Sequence, residues 1–274
     1  MATLRLKLWV GIGAATIAGV SLAQAGPDAP DVKGSTPRSA MNHGEASNSA
    51  GEGGEAYLTD GGPRDTRIRF LRDVGLLRGH LLVGRQLVEL GLWEEALPHF
   101  LHPTEELYGR LEKYITLHHM PPFRFELMGL AQAVKAKRIG AYEQGLGVLE
   151  GRLKGVLDVA GRFMAPQARF QARAASEMLK AAQQEYASSI EAGRFVRPVE
   201  YQDSRGFVWE AERLFEQAAS ELARSDPAAL EEIRGSLARL KTAWPDAMPP
   251  AVPRLDPGDV AAIVAAIERS AMRY

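Results

Sequence analysis

YEQGLGVLEGRLKGVLDVAGRF, residues 142–163, decides the fold class. Its apolar residues Tyr142, Leu146, Leu149, Leu153, Val156, Ala160 and Phe163 recur in alternating steps of four and three. A helix turns once in roughly 3.6 residues, so this spacing puts one side against a neighbour and the other in water. Gly145, Gly147, Gly151 and Gly155 fall inside the same stretch. Glycine inside a helix costs stability, so the expectation is that another helix approaches closely there.

The same period recurs on both sides. Upstream, Phe70, Val74, Leu77, Leu81 and Val88 make a stripe. Downstream, Ala175, Leu179, Ala182, Tyr186 and Ile190 make another, followed by Val208, Ala211, Phe215, Ala218 and Leu222. Leu230, Ile233, Leu237, Leu240 and Trp244 continue the series, and Val260, Ile263, Val264 and Ile267 close it. No period-two run with a hairpin turn competes with them. Breaks fall at Met120-Pro121-Pro122, Ala165-Pro166, Gly193 to Pro198 and Ser225-Asp226-Pro227. Asp203 or Ser204 is the expected N-cap of the helix carrying Phe207 to Arg224. Five prolines in the 13 residues from Pro245 to Pro257 predict an extended segment across the bundle surface. The reading is an all-α, up-and-down helical bundle of seven to eight helices over residues 57–274.

The first 56 residues do not belong to that bundle. Arg5 and Lys7 precede an uncharged, mostly apolar run from Leu8 to Leu22, which ends in Ala23-Gln24-Ala25. That is the pattern of a cleavable signal peptide over residues 1–25. The run is shorter than the ~20 residues that span a bilayer. Residues 26–56 are Gly, Ser, Ala, Pro, Asp, Glu and Asn with few larger apolar side chains, and read as a disordered leader. The expected destination is the periplasm, with no transmembrane segment in the mature chain. Cleavage after Ala25 takes the net charge from −1 to −3. That balance argues against a nucleic-acid partner. The absence of cysteine excludes disulfides, thiolate metal sites and a cysteine nucleophile. The phosphate-loop, serine-hydrolase, zincin and EF-hand motifs are missing as well, so an enzyme has no support and a binding protein is favoured.

Five of the six histidines fall between His80 and His119. The central text is Pro98-His99-Phe100-Leu101-His102-Pro103-Thr104-Glu105-Glu106-Leu107-Tyr108-Gly109. On a helix, His99 and His102, and His102 with Glu105 and Glu106, share a face. Imidazole plus carboxylate is the ligand set of iron or another divalent transition metal, and facing helices supply such sites inside bundles. The candidate ligands are His102, Glu105, His99, Glu106 and His80. A structural reading stands beside this one. Pro103 starts a helix whose first turn favours Glu105 and Glu106, and His118-His119 ends one. The cluster Glu200 to Phe207 reads as a capping box and loop anchor, with Arg205 on a carboxylate, or as groups behind a binding site.

The segment His102-Pro103-Thr104-Glu105-Glu106-Leu107-Tyr108-Gly109 resembles the His-x-x-Glu block of the imelysin-like proteins, which include periplasmic iron-uptake proteins of the EfeM/EfeO type. The resemblance implies an exported helical protein in iron handling, with His102 and Glu105 as ligands and a metal ion and another periplasmic or membrane protein as partners. The Leu97 to Glu106 and Glu200 to Phe207 segments also resemble text shared by a group of proteobacterial periplasmic helical proteins, which implies no activity of its own. Gly84, Gly91, Trp93, Ala96 and Phe100 resemble one tetratricopeptide hairpin. That resemblance implies the alternative function, a helical interaction or scaffold protein.

Overall fold

The structure is a computed structural model that describes residues 62–164 and 167–274. The signal peptide (1–25) and leader (26–56) read from the sequence lie outside the described residues.

The described residues are almost wholly helical. Helix α1 spans Thr66–Glu89, α2 Trp93–Ala96 and α3 Pro98–His102, and a π-turn follows at Pro103–Leu107. Then come α4 (Tyr108–Leu117), α5 (Arg124–Lys135) and α6 (Ile139–Gly161). The C-terminal half holds α7 (Gln167–Ser188), α8 (Pro198–Ser225), α9 (Pro227–Leu240) and α10 (Pro257–Ala271). Eight of these helices have ten residues or more, so the all-α bundle stands as read. Among the described residues the one sheet is a two-residue ladder pairing Ile190 with Phe195 and Glu191 with Arg194. Its turn residues, Ala192 and Gly193, both have positive φ, the condition of a tight hairpin turn. No helix among the described residues is long and apolar enough to cross a membrane.

The helix starts have local causes. Pro occupies the first turn of α8, α9 and α10, where its missing N–H costs no helical bond. Asp65, Asp226 and Asp256 accept from the amides of Arg67, Ala229 and Asp259, capping α1, α9 and α10. Replacing Asp256 by Ala should therefore cost about 1 kcal/mol, read as a lower urea midpoint. Helix α8 begins at Pro198 after Arg197, not at Asp203 or Ser204. Those two residues are inside the helix and buried, so the expected cap is corrected.

Packing follows the apolar stripes. Helices α7 and α8 form the most extensive pair, and α1 lies against both. The pairs α5–α6 and α9–α10 complete the bundle, with α10 also on α7. Every member of the Val208 and Leu230 stripes is buried, whereas Phe163, the last of the α6 stripe, is exposed. Each fully buried Leu, Val or Phe stabilises the fold by about 1.5–3 kcal/mol relative to exposure.

The proline-rich segment after Trp244 has no regular structure, and polar bonds pin it to α7 and α8. Tyr186 donates to the Leu255 carbonyl at 2.7 Å and Tyr201 to the Asp246 carbonyl at 2.9 Å. Buried Trp244 donates to Ser204 Oγ at 2.7 Å.

The close helix approach lies elsewhere than the α6 glycines. A Cβ on Gly147, Gly151 or Gly155 would meet nothing within 4 Å, and one on Gly145 would be in ordinary contact with Leu130. The contact is at the crossing of α1 and α8. There a Cβ on Gly206 would land on the Gly79 carbonyl oxygen, and one on Gly79 would stand 2.8 Å from Phe207 and 2.9 Å from the Gly206 carbonyl carbon.

Candidate metal centre

That crossing sets the site. His80 follows Gly79 on α1, and Asp203 precedes Gly206 by three residues, nearly one turn, on α8. With the backbones almost touching, both side chains are sealed in the interface, at 0% and 4% exposure. The third contributor is α3, which α1 admits closely at Gly84. A Cβ there would sit 2.8 Å from Phe100 and 3.1 Å from His99 Cβ. Gly84 and Phe100 belong to the tetratricopeptide-like hairpin, and their close packing brings His99 and His102 to the crossing.

Asp203 is the hub. Its Oδ1 accepts from His80 Nδ1 and from His99 Nδ1, each at 2.7 Å. Its Oδ2 lies 3.4 Å from His102 Nδ1. His99 is fully buried, and its other ring nitrogen contacts Gln202 Oε1 at 2.9 Å. Gln202 in turn donates to Met248 Sδ at 3.3 Å, tying the proline-rich segment to the site. Phe207 stands edge-on to the His80 ring at 5.0 Å. His102 is the least buried of the three imidazoles, with its side chain 16% exposed.

Burial, the largest influence on Asp203, opposes its ionisation. The charge interactions with His80 and His99, reinforced by hydrogen bonds from His102 and His80, overcome it and hold the carboxyl well below its ordinary value of 3.8. Burial is also the largest influence on His80. It pushes the imidazole below its ordinary 6.5, against the attraction of Asp203 and together with the neighbouring rings of His102 and His99. At neutral pH the site therefore holds an anionic carboxylate and a neutral His80. With Nδ1–H given to the carboxylate, Nε2 of His80 is the lone-pair nitrogen, the usual arrangement of a metal-binding histidine and its orienting partner.

His80, His102 and Asp203 each offer a ligand atom, and these atoms all lie within 4.8 Å of one another. Two ligands about 2.1 Å from one ion at a tetrahedral or cis-octahedral angle stand about 3.0–3.4 Å apart. The Asp203 Oδ2 to His102 Nδ1 separation of 3.4 Å fits that geometry. Asp203 Oδ1 already serves two imidazoles, so Oδ2 is the side of the carboxylate that faces a ligand. Two imidazoles and one carboxylate form the donor set of open-sided iron(II) sites, and it also suits zinc and manganese.

Of the five ligands expected from sequence, the structure gathers His80, His99 and His102. His99 orients the carboxylate and does not belong to the three-ligand group. Glu105 and Glu106 are not brought into that group either. The reason is the π-turn, closed by the bond from the Tyr108 amide to the Pro103 carbonyl. An i→i+5 turn is wider than an α-turn, so the residue three after His102 no longer stacks on it. Glu105 is exposed and Glu106 is half-buried. His118 packs its ring, tilted, against Tyr114 at 4.2 Å, at the end of α4. Arg205 bonds the Gln86 amide oxygen and covers the Trp209 ring at 4.3 Å, where sequence reading placed a carboxylate.

Asp203 is the residue that sequence reading left out of the ligand set. A signal for it exists. The stripe Val208, Ala211, Phe215 runs backward at the same spacing through Ser204 and Tyr201. The helix therefore starts upstream, and Asp203 lies within it.

Residues 165–273 match the iron permease-associated 4-helix bundle domain. The matched region holds α7, α8, α9 and α10, which supply Asp203 and Gln202. The three histidines come from helices N-terminal to it. The match points to iron-permease-related metal handling. The imelysin-like resemblance rests on a segment outside the matched residues. No curated protein and no solved structure matches the chain at a significant level.

Proposed function

We propose that this chain is an exported, periplasmic, non-enzymatic metal-binding protein that carries iron for uptake, with a membrane permease as its partner. The ion is held by His80, His102 and Asp203. His99 and Gln202 fix the carboxylate, and open positions are left for water or a ligand of the incoming iron. The observation that carries this reading is one buried carboxylate shared by three imidazoles, set where the N-terminal helices meet a bundle matching an iron permease-associated domain. His102, partly exposed, is the side from which an ion enters. Nothing in the site is arranged as a nucleophile. Ser204 Oγ donates to the Tyr201 carbonyl at 2.7 Å and accepts from Trp244.

Anaerobic calorimetric titration with iron(II) tests this. One equivalent should bind the full chain. His102→Ala, a partly exposed truncation, should keep the fold by circular dichroism and weaken binding at least tenfold. His99→Leu should weaken it by about 10–100-fold through loss of carboxylate orientation. Equal affinities in the wild type and His102→Ala would overturn the ligand assignment.

A further inference from the structure

A second polar cluster lies on α1, about two turns before His80. Asp73, which sequence spacing places on the same side of the helix as His80, does not join the histidines. Arg72 Nε donates to Asp73 Oδ1 at 2.8 Å, and Arg110 Nη2 lies 3.4 Å from the same oxygen. A cleft of about 420 Å³ opens here between α1 and α4. Its charged lining is Arg69, Arg72, Arg110 and Lys113 against the single carboxylate of Asp73. Four cations facing one anion leave the cleft strongly positive.

The donors there are also not saturated. Arg72 is 1% exposed, and its Nη1 is buried with no hydrogen-bond partner. Arg110 Nε is in the same condition. A buried guanidinium N–H without an acceptor is costly and uncommon, so two lining one cleft mark a place where acceptor oxygens are missing. One wall is aromatic. Phe70 and Tyr114 stack at 4.1 Å, and the His118 ring lies tilted by 37° against Tyr114 at 4.2 Å.

We propose that this cleft binds a small multivalent oxyanion carrying two or more carboxylate or phosphate groups. Arg72 and Arg110 form the floor and donate to one group. Arg69 and Lys113 at the exposed rim hold another. The planar guanidinium suits bidentate contact with either oxyanion, and the rim lysine adds a mobile charge. The site uses none of the metal ligands and stands or falls apart from them.

The test is calorimetric titration of the full chain, stripped of metal on chelating resin, with citrate in one arm and pyrophosphate in the other. Acetate and chloride at matched ionic strength are the controls. Binding of one equivalent of citrate or pyrophosphate is expected, with no detectable heat from acetate. Arg110→Gln should weaken the preferred anion at least tenfold, and Lys113→Ala by several-fold without loss of fold. Lys113→Ala keeps the test decisive should Arg110→Gln fold poorly. No binding of either anion, or equal binding by the wild type and Lys113→Ala, would overturn the proposal. Iron(II) affinity should be unchanged in Lys113→Ala, which separates this site from the histidine centre.

Discussion

Gly206→Ala should be the most damaging single-methyl change in this protein, lowering the unfolding free energy by about 3 kcal/mol or more. The added carbon would land on the Gly79 carbonyl oxygen, which is main chain and has no rotamer to yield. Gly206 is not among the residues with positive φ, so alanine suits its conformation and the damage is purely steric. Relief requires α1 and α8 to move apart, which loosens the packing around Phe207, Leu77 and Val208. It also draws His80 away from Asp203, whose 2.7 Å bond the crossing sets. Iron(II) binding should therefore fall with stability. Gly151→Ala on α6 supplies the opposite sign. Nothing lies within 4 Å of the new methyl, so helix propensity decides and stability should rise by about 0.5–1 kcal/mol. Urea unfolding followed by far-ultraviolet circular dichroism checks both variants. A Gly206→Ala protein with the wild-type midpoint would mean that the crossing is not as tight as described.

These two glycines also show what the sequence can and cannot say. Periodicity reports which side of a helix is apolar, and the stripes of α1, α7, α8, α9 and α10 were legible for that reason. A glycine inside a helix reports only that a side chain is missing. Whether another backbone occupies the space depends on where a residue far along the chain arrives. Gly206 is 127 positions from Gly79, and no local pattern joins them. The site divides along the same line. The histidines stood out because five crowd into 40 residues, and three of them meet. Their carboxylate came from more than a hundred residues downstream, whereas the nearest acidic residues in sequence, Glu105 and Glu106, were the natural candidates. The π-turn that separates them from the ligand group inserts no unusual residue. Pro103 disturbs the backbone between His102 and Glu105, but it fits an α-helical first turn equally well, so it did not specify a wider turn. Asp203 reads as a cap because Asp near a helix start usually is one. Only the stripe running back to Tyr201 shows that the start lies earlier.

Acidification of the metal-free protein should destabilise it in two separate windows, and Asp203→Asn should shrink the second. His80 has a folded value below its ordinary 6.5. Between the two values the unfolded chain carries a proton on this ring and the folded chain does not. Stability therefore falls as pH drops below 6.5 toward the folded value, with a slope of at most about 1.4 kcal/mol per pH unit for one proton. Asp203 has a folded value well below 3.8. Its contribution is fully present above 3.8 and is lost as pH falls from there through the folded value, again because the unfolded state takes the proton first. In Asp203→Asn the Asp203 share of the lower window disappears, leaving that of Asp65, Glu216, Asp226 and Glu232, whose carboxyls are also held below their ordinary values. The upper one extends to lower pH, because the carboxylate that draws His80 upward is gone and burial acts with less opposition. At pH 7.5 the amide still offers one oxygen to His80 and His99, but the charged acceptor is lost, at a cost of roughly 1.5–3 kcal/mol. Iron(II) affinity should drop more than a hundredfold, since the only anionic ligand is removed. Urea midpoints between pH 7.5 and 3, with and without iron(II), measure all of this. An Asp203→Asn protein that follows the wild-type acid curve would show that Asp203 is not the charge around which the three imidazoles are built.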